Sequence, residues 1–177
     1  MGLLIPRQCR YVRPISLDLL TEAEKIKNTE ILAKRILING NKLNTGFLTT
    51  HELCRVLTDY GQVETAYKLL LQTECPSWLY PVTKGATTIW ESWDGVNEQG
   101  EAAGSMNHYA YGVIVGWLFD RVCGIRLECG KLTIKPIPHP SLGSAQAKYD
   151  SPFGLITSGW EYENDSLNFV FTIPCNR

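Results

Sequence analysis

The sequence has little charge of either sign to spare. Seventeen Lys and Arg stand against eighteen Asp and Glu in 177 residues, a formal net charge of −1. Such a balance provides no field for a polyphosphate backbone or an anionic membrane surface, so neither nucleic acid nor membrane is expected as a partner. No stretch reaches the roughly 18 uncharged apolar residues of a membrane span, and Pro6 and Arg7 interrupt the first residues before an export-signal core forms. The expectation is a soluble, cytoplasmic chain. Histidine is scarce at three, and the six cysteines (Cys9, Cys54, Cys75, Cys123, Cys129, Cys175) form no CxxC and no Cys/His pair at zinc-site spacing. No metal is expected, and the thiols read as free, buried or half-buried. Neither phosphate loop, GxxxxGK[ST] or GxGxxG, is present, nor are GxSxG and HExxH, so no cofactor is expected.

A hydrophobic fraction of 44% and a charged fraction of 20% are ordinary globular usage, which excludes wholesale disorder, coiled coil and collagen. The length allows one domain or two small ones. Between Thr21 and Asn39, Ala23, Ile26, Leu32, Ala33, Ile36 and Leu37 recur at helical spacing; Thr21 and Glu24 fit a capping box, and Gly40 is a natural stop. A second helix is expected from a capping box at Thr49 and Glu52 to Gly61, and a third from Val63 to about Glu74, together an αα-hairpin. Pro76 opens about thirty aperiodic residues rich in Gly, Trp, Thr and Asn. A fourth helix is expected from Ser105 to Gly124, with Ala110, Val113, Ile114, Trp117 and Leu118 inward. Beyond Leu127 the period becomes 2, most clearly at Leu167, Phe169, Phe171 and Ile173, which predicts short antiparallel strands. The fold class is α followed by β, with domains expected at 1–125 and 126–177.

The chemistry concentrates in Gly85-Ala86-Thr87-Thr88-Ile89-Trp90-Glu91-Ser92-Trp93-Asp94-Gly95 and Asn107-His108-Tyr109. Two carboxylates and an imidazole among flat aromatic rings suit a sugar, whose C–H face stacks on Trp while its hydroxyls meet the polar groups. Apolar neighbours also favour the neutral form of a carboxyl group, which makes Glu91 a candidate general acid or base and Asp94 a candidate hydroxyl clamp. A carboxylate that merely fixes its loop is the alternative for Glu91, and a structural imidazole is the alternative for His108. His51 and His139 read as solvated or packing residues.

Several motifs in one order then resemble the bacterial α-L-rhamnosidase family. They are Leu43-Asn44-Thr45-Gly46-Phe47-Leu48, Ala66-Tyr67-Lys68-Leu69-Leu70-Leu71-Gln72, Pro76-Ser77-Trp78, Gly85 to Glu91, Trp93-Asp94 and Asn107-His108-Tyr109-Ala110, with Ile134-Lys135-Pro136 and Tyr149 to Gly154 further on. The resemblance implies an (α/α)6 six-hairpin barrel followed by a β-sandwich, hydrolysing terminal α-L-rhamnosides with inversion. Glu91 matches the family's general base and His108 its sugar-contacting histidine; Trp90, Trp93 and Asp94 take pocket-wall or supporting roles. In an inverting glycosidase the base activates a water, while a second carboxyl group about 6.5–9.5 Å away protonates the leaving oxygen.

The family's general acid lies upstream of the Asn-Thr-Gly-Phe-Leu run, where this chain has almost nothing. Four expected helices are too few for a six-hairpin ring, Thr49 stands where the family has Gly, the Trp93–Asn107 loop is short, and the β part stops early. The expectation is therefore a C-terminal portion of such an enzyme, partial in its barrel and its sandwich, that binds a rhamnoside but is inactive alone. Its expected protein partner is an N-terminal barrel half or a second copy. The alternative function is a noncatalytic carbohydrate-binding or assembly fragment.

Overall fold

The computed structural model describes residues 7–97 and 100–175. It contains six α-helices followed by five strands: α1 (Cys9–Ser16), α2 (Glu22–Ile38), α3 (Phe47–Asp59), α4 (Val63–Leu70), α5 (Leu79–Thr83), α6 (Ile114–Trp117), β1 (Ile125–Glu128), β2 (Lys131–Ile134), β3 (Ser144–Ser151), β4 (Gly154–Glu163) and β5 (Ser166–Thr172). The expected order of helices before antiparallel strands holds, and the described residues form no closed barrel. None of the described helices is long and apolar enough to cross a membrane. The chain divides into two compact units between Ile114 and Val115.

In the first unit α3 packs on α1, α2, α4 and the 3₁₀ turn Ala110–Val113. Val12, Leu32, Ile36, Leu53, Leu57 and Tyr67 are fully or almost fully buried there, each apolar side chain of this size contributing about 1.5–3 kcal/mol. The Thr21/Glu24 capping box is formed in both directions. Helix α2 ends in a Schellman turn: Gly40 (φ +70°) donates to Leu37 O, and Asn41 to Ile36 O at 2.9 Å. Its buried stripe is Lys25, Thr29, Leu32, Ala33 and Ile36, whereas Ile26 and Leu37 are exposed. Gln8 is buried with both ends of its amide used, Nε2 donating to Lys42 O and Oε1 accepting from the Asn44 N–H, each at 2.8 Å. This ties the entry of α3 to the start of α1.

Four expectations about the helices are corrected. Thr49 is not a cap: α3 begins at Phe47 after Gly46, and Thr49 lies buried in its first turn. The adjacent Thr50 hydroxyl bonds back to Gly46 O at 2.9 Å and meets the Thr45 hydroxyl at 2.8 Å, so threonine is used inside the turn. Six helices replace four, because α1 shows only Val12 and Ile15 as a buried pair around Pro14, and α5 is five residues with Pro81 inside. The third helix stops at Leu70. The fourth begins at Ala110 rather than Ser105 and passes from 3₁₀ through α to a π turn at Leu118–Val122; Val113 is exposed. The backbone of 101–108 is taken up in other pairing, described below.

In the second unit β1 and β2 form a hairpin, and β3-β4-β5 a three-stranded antiparallel sheet. Two-residue turns close two of the hairpins, Cys129-Gly130 and Asn164-Asp165, with positive φ at both positions as a right-twisted ribbon prefers. Central strand β4 carries Ile156, Ser158 and Trp160 inward; the Trp160 indole donates to Val122 O at 2.7 Å and the Ser158 hydroxyl to Cys123 O. Gly124 (φ +74°) leaves no room for a Cβ, which would fall 2.1 Å from the backbone of Lys135 and Pro136. All six cysteines are free, as expected, but Cys129 and Cys175 are exposed rather than buried or half-buried.

Candidate active site

The segment 88–97 folds back against 101–108 as an antiparallel ribbon. His108 N–H donates to Ile89 O (2.8 Å), Glu91 N–H to Ser105 O (2.9 Å), Ala103 N–H to Gly95 O (2.8 Å) and Asn97 N–H to Glu101 O (3.0 Å). Val96 and Ala102 pair as an isolated bridge, and the Thr88 hydroxyl bonds to Met106 O. These bonds remove 105–108 from any helix and set Glu91 and His108 on facing arms of one ribbon. Gly112 closes the other side, where a Cβ would come within 3.3 Å of Ile89 Cγ1.

Glu91 is half-buried. Its Oε2 accepts the Ser105 backbone N–H at 2.9 Å, and Oε1 has no hydrogen-bond partner among the described residues. Gly104 (φ +83°) lies directly behind it, since a Cβ there would be 3.3 Å from Oε2. The carboxylate is thus oriented from one side and open on the other. His108 stacks with Phe47, centroids 5.0 Å apart, and with Tyr109, 5.4 Å apart. Its Nδ1 accepts the Ala110 N–H at 3.2 Å, which in the neutral ring leaves Nε2–H as a donor for a hydroxyl group.

Trp93 stacks on Tyr111 at 3.6 Å and 19°, and meets Trp78 edge-on at 5.9 Å. Trp78 is held by its indole N–H on Tyr111 O at 3.0 Å, and burial pushes the Tyr111 phenol above its ordinary pKa. Trp90 is only 5% exposed, with Gly95 against it. It is a wall of the loop's own core and offers no ring face outward. Asp94 is exposed on the turn after Trp93, and no hydrogen bond joins it to Glu91 or His108 among the described residues. After burial, its charge is the second cause that raises the Cys75 thiol pKa, against the opposing pull of Lys42.

Of the five residues expected at the site, Glu91, His108 and Trp93 share the ribbon and its aromatic cluster, while Trp90 is buried in the same ribbon and Asp94 is exposed on its turn. Phe47 and Tyr111 complete the cluster and were not singled out as site residues; Phe47 lay inside a quoted motif, and Tyr111 sits three residues after His108. The Gly104-Ser105 support of the carboxylate had no signal beyond a Gly-rich loop. No group of three or more His, Cys, Asp or Glu among the described residues is placed to hold a metal ion.

Residues 5–122 match the bacterial α-L-rhamnosidase six-hairpin glycosidase domain, and residues 130–177 the bacterial α-L-rhamnosidase C-terminal domain. An α-L-rhamnosidase of Formosa agariphila is 39% identical over 96% of this chain and 19% of its own length. Among solved structures, the α-L-rhamnosidase of Streptomyces avermitilis complexed with L-rhamnose superposes with a TM-score of 0.87 at 34% identity, over 94% of this chain and 17% of that one. The native enzyme from Aspergillus terreus gives a TM-score of 0.90 at 30% identity, over 95% and 20%. The chain thus spans about a fifth of the length of the relatives it matches.

Proposed function

The chain belongs to the bacterial α-L-rhamnosidase six-hairpin glycosidase family, and from that premise we propose that it forms the general-base side of a pocket hydrolysing terminal α-L-rhamnosides with inversion. Glu91 accepts a proton from water as the water oxygen bonds to the anomeric carbon. The carbon–oxygen bond to the leaving group breaks on the opposite face, and the departing oxygen takes its proton from a general acid outside this chain. His108 Nε2–H binds a sugar hydroxyl, and Trp93 with Phe47 forms the wall for the C–H face. Asp94 and Trp90 support the loop. The chain alone does not turn over: losing one member of an acid/base pair costs about 10²–10⁴ in rate.

The observation that carries this reading is the half-held carboxylate, with Oε2 on the Ser105 N–H and Oε1 open. The test is release of aryl alcohol from an aryl α-L-rhamnoside by the chain alone, and by the chain mixed with a segment carrying a relative's upstream, acid-bearing half. Activity is expected only in the mixture, with the product inverted and with loss in Glu91→Gln. Turnover by the chain alone refutes its inactivity, and turnover indifferent to Glu91→Gln refutes the base assignment.

A further inference from the structure

Both rings given to the sugar converge on a residue that does not line their cleft. Trp93 and Phe47 border a cleft of about 600 Å³, within the usual size range of small-ligand sites. Tyr111 is outside that lining and only 7% exposed. Its ring lies on Trp93, centroids 3.6 Å apart at 19°, and meets Phe47 at 5.1 Å and 60°. Its backbone carbonyl accepts the Trp78 indole N–H at 3.0 Å, and Trp78 in turn stands edge-on to Trp93 at 5.9 Å. Both of these supports of Trp93 originate at Tyr111, one in its side chain and one in its main chain.

The main chain at Tyr111 is itself fixed to the Glu91 ribbon. It belongs to the 3₁₀ turn Ala110–Val113, which opens where the Ala110 N–H donates to His108 Nδ1 at 3.2 Å. Gly112 donates to Tyr109 O at 2.9 Å and packs so closely that a Cβ would lie 3.3 Å from Ile89 Cγ1, while the His108 N–H bonds to Ile89 O at 2.8 Å. One short turn therefore fixes the imidazole nitrogen and the support of the indole together. A flat ring serves a sugar best when it already waits in the bound orientation, because ordering one side chain on binding costs roughly 2- to 12-fold in affinity. We infer that Tyr111 is the positioning residue of the rhamnoside wall: it holds the Trp93 ring at a fixed angle to the cleft and acts through that ring. The inference rests on the carbohydrate reading above and adds to it the residue that sets the wall.

The test is titration of the full chain with L-rhamnose, followed by amide and aromatic NMR, in the parent and in Tyr111→Phe and Tyr111→Leu. Tyr111→Phe keeps the ring and is expected to match the parent, whereas Tyr111→Leu weakens L-rhamnose by roughly 2- to 12-fold, the worth of one stacked ring pair. The control is Tyr67→Leu, which removes a fully buried ring from α4 and lowers Tm with the L-rhamnose affinity unchanged. Ring–ring NOEs between Trp93 and Trp78 are expected in the parent and in Tyr111→Phe and are lost in Tyr111→Leu, a signature that reduced stability alone does not give. In the parent the Trp93–Tyr111 NOEs persist with L-rhamnose bound; their loss on binding overturns the inference without recourse to any variant. Parent-like L-rhamnose affinity in folded Tyr111→Leu overturns the inference and leaves the carbohydrate reading standing. Tyr67→Leu weakened as much as Tyr111→Leu, or Tyr111→Phe weakened as much, overturns it as well. A parent that shows no L-rhamnose shift overturns the carbohydrate reading, and the role of Tyr111 with it.

Discussion

Gly104→Ala isolates the support of the Glu91 carboxylate, because Gly100 is a matched control in the same ribbon. Both glycines have φ +83°, so an alanine at either carries the same left-handed backbone strain, about 1–2 kcal/mol. Around Gly100 nothing among the described residues lies within 4 Å of the added Cβ, whereas at Gly104 it meets Glu91 Oε2 at 3.3 Å and Cδ at 3.8 Å. The carboxylate must yield by a few tenths of an ångström, along a bond to the Ser105 N–H now 2.9 Å long. A hydrogen bond to a charged acceptor is worth about 1.5–3 kcal/mol, so losing a third to a half of it corresponds to roughly 3- to 10-fold. Misplacement by a full ångström costs about 10²-fold, which bounds the effect from above. In the complemented aryl-rhamnosidase assay, Gly104→Ala is expected to lower kcat several-fold with KM little changed. Gly100→Ala stays within twofold of the parent, and Gly104→Ala lowers Tm further only by the part of the bond lost, worth about 0.5–1.5 kcal/mol. Equal turnover by the two variants refutes the positioning argument, and unfolding of Gly104→Ala at the assay temperature, accounting for the lost activity, refutes it as well.

Other outcomes follow from the same geometry. A thiol reagent is expected to label Cys129 and Cys175 fast and Cys54 and Cys123 only on unfolding, so the Cys129→Ser/Cys175→Ser double variant loses the fast phase seen by Ellman absorbance. Hydrogen bonds hold three carboxyls below their ordinary values: Asp18 through the Lys25 ammonium, Glu24 through the Thr21 backbone and hydroxyl, and Glu74 through Lys42. A depressed folded-state pKa gives stability that is present above the unfolded value and lost as pH falls through the folded one. Urea midpoints are therefore expected to fall as pH drops below about 4.5, the ordinary glutamate value, and Glu24→Gln shallows that fall. Gly124→Ala is expected to destabilise the second unit by about 1.5–3.5 kcal/mol, from left-handed strain of about 1–2 kcal/mol plus about 0.5–1.5 kcal/mol for the loss of the Lys135 N–H to Gly124 O bond of 2.9 Å. Gly61→Ala, with equal sign of φ but open space, costs only about 1–2 kcal/mol; equal melting of the two variants by circular dichroism rules the close contact out.

What could be read from the sequence divides along physical lines. The helix α2 was legible because a capping box, an apolar period and a Gly stop agree over seventeen residues. The strand β5 was legible from alternation alone, and its Asn164-Asp165 turn is the sort of pair that tolerates positive φ. The starts of α3 and of the helical run before Val122 were misread for the same reason: side-chain chemistry that looked local was recruited elsewhere. Thr49 and Thr50 face inward within the α3 turn, and Ser105 to His108 are paired with Ile89 and Glu91 across the ribbon. Nonlocal backbone bonds of this kind leave no periodic trace. At the site, Glu91 and His108 were legible as residue types in a motif, whereas the tertiary contacts of Phe47 and Tyr111 were not, since neither spacing nor polarity distinguishes a stacked ring from a core ring.

That ribbon also bears on how a pocket of this kind is assembled. Every contact that orients Glu91 comes from residues 89–108, and the rings beside it come from Phe47, Trp78, Trp93 and Tyr111, all in the first compact unit. Among the described residues, the Glu91 carboxylate is therefore oriented from within the first unit. On the proposed reading, an acid-bearing partner supplies its carboxyl group opposite Glu91 with no refolding of the Glu91 loop. Complementation should then proceed by docking alone, so its rate is expected to rise linearly with partner concentration under pseudo-first-order conditions. A plateau at high concentration would reveal a slow rearrangement of this chain, and with it a base side that is not preformed.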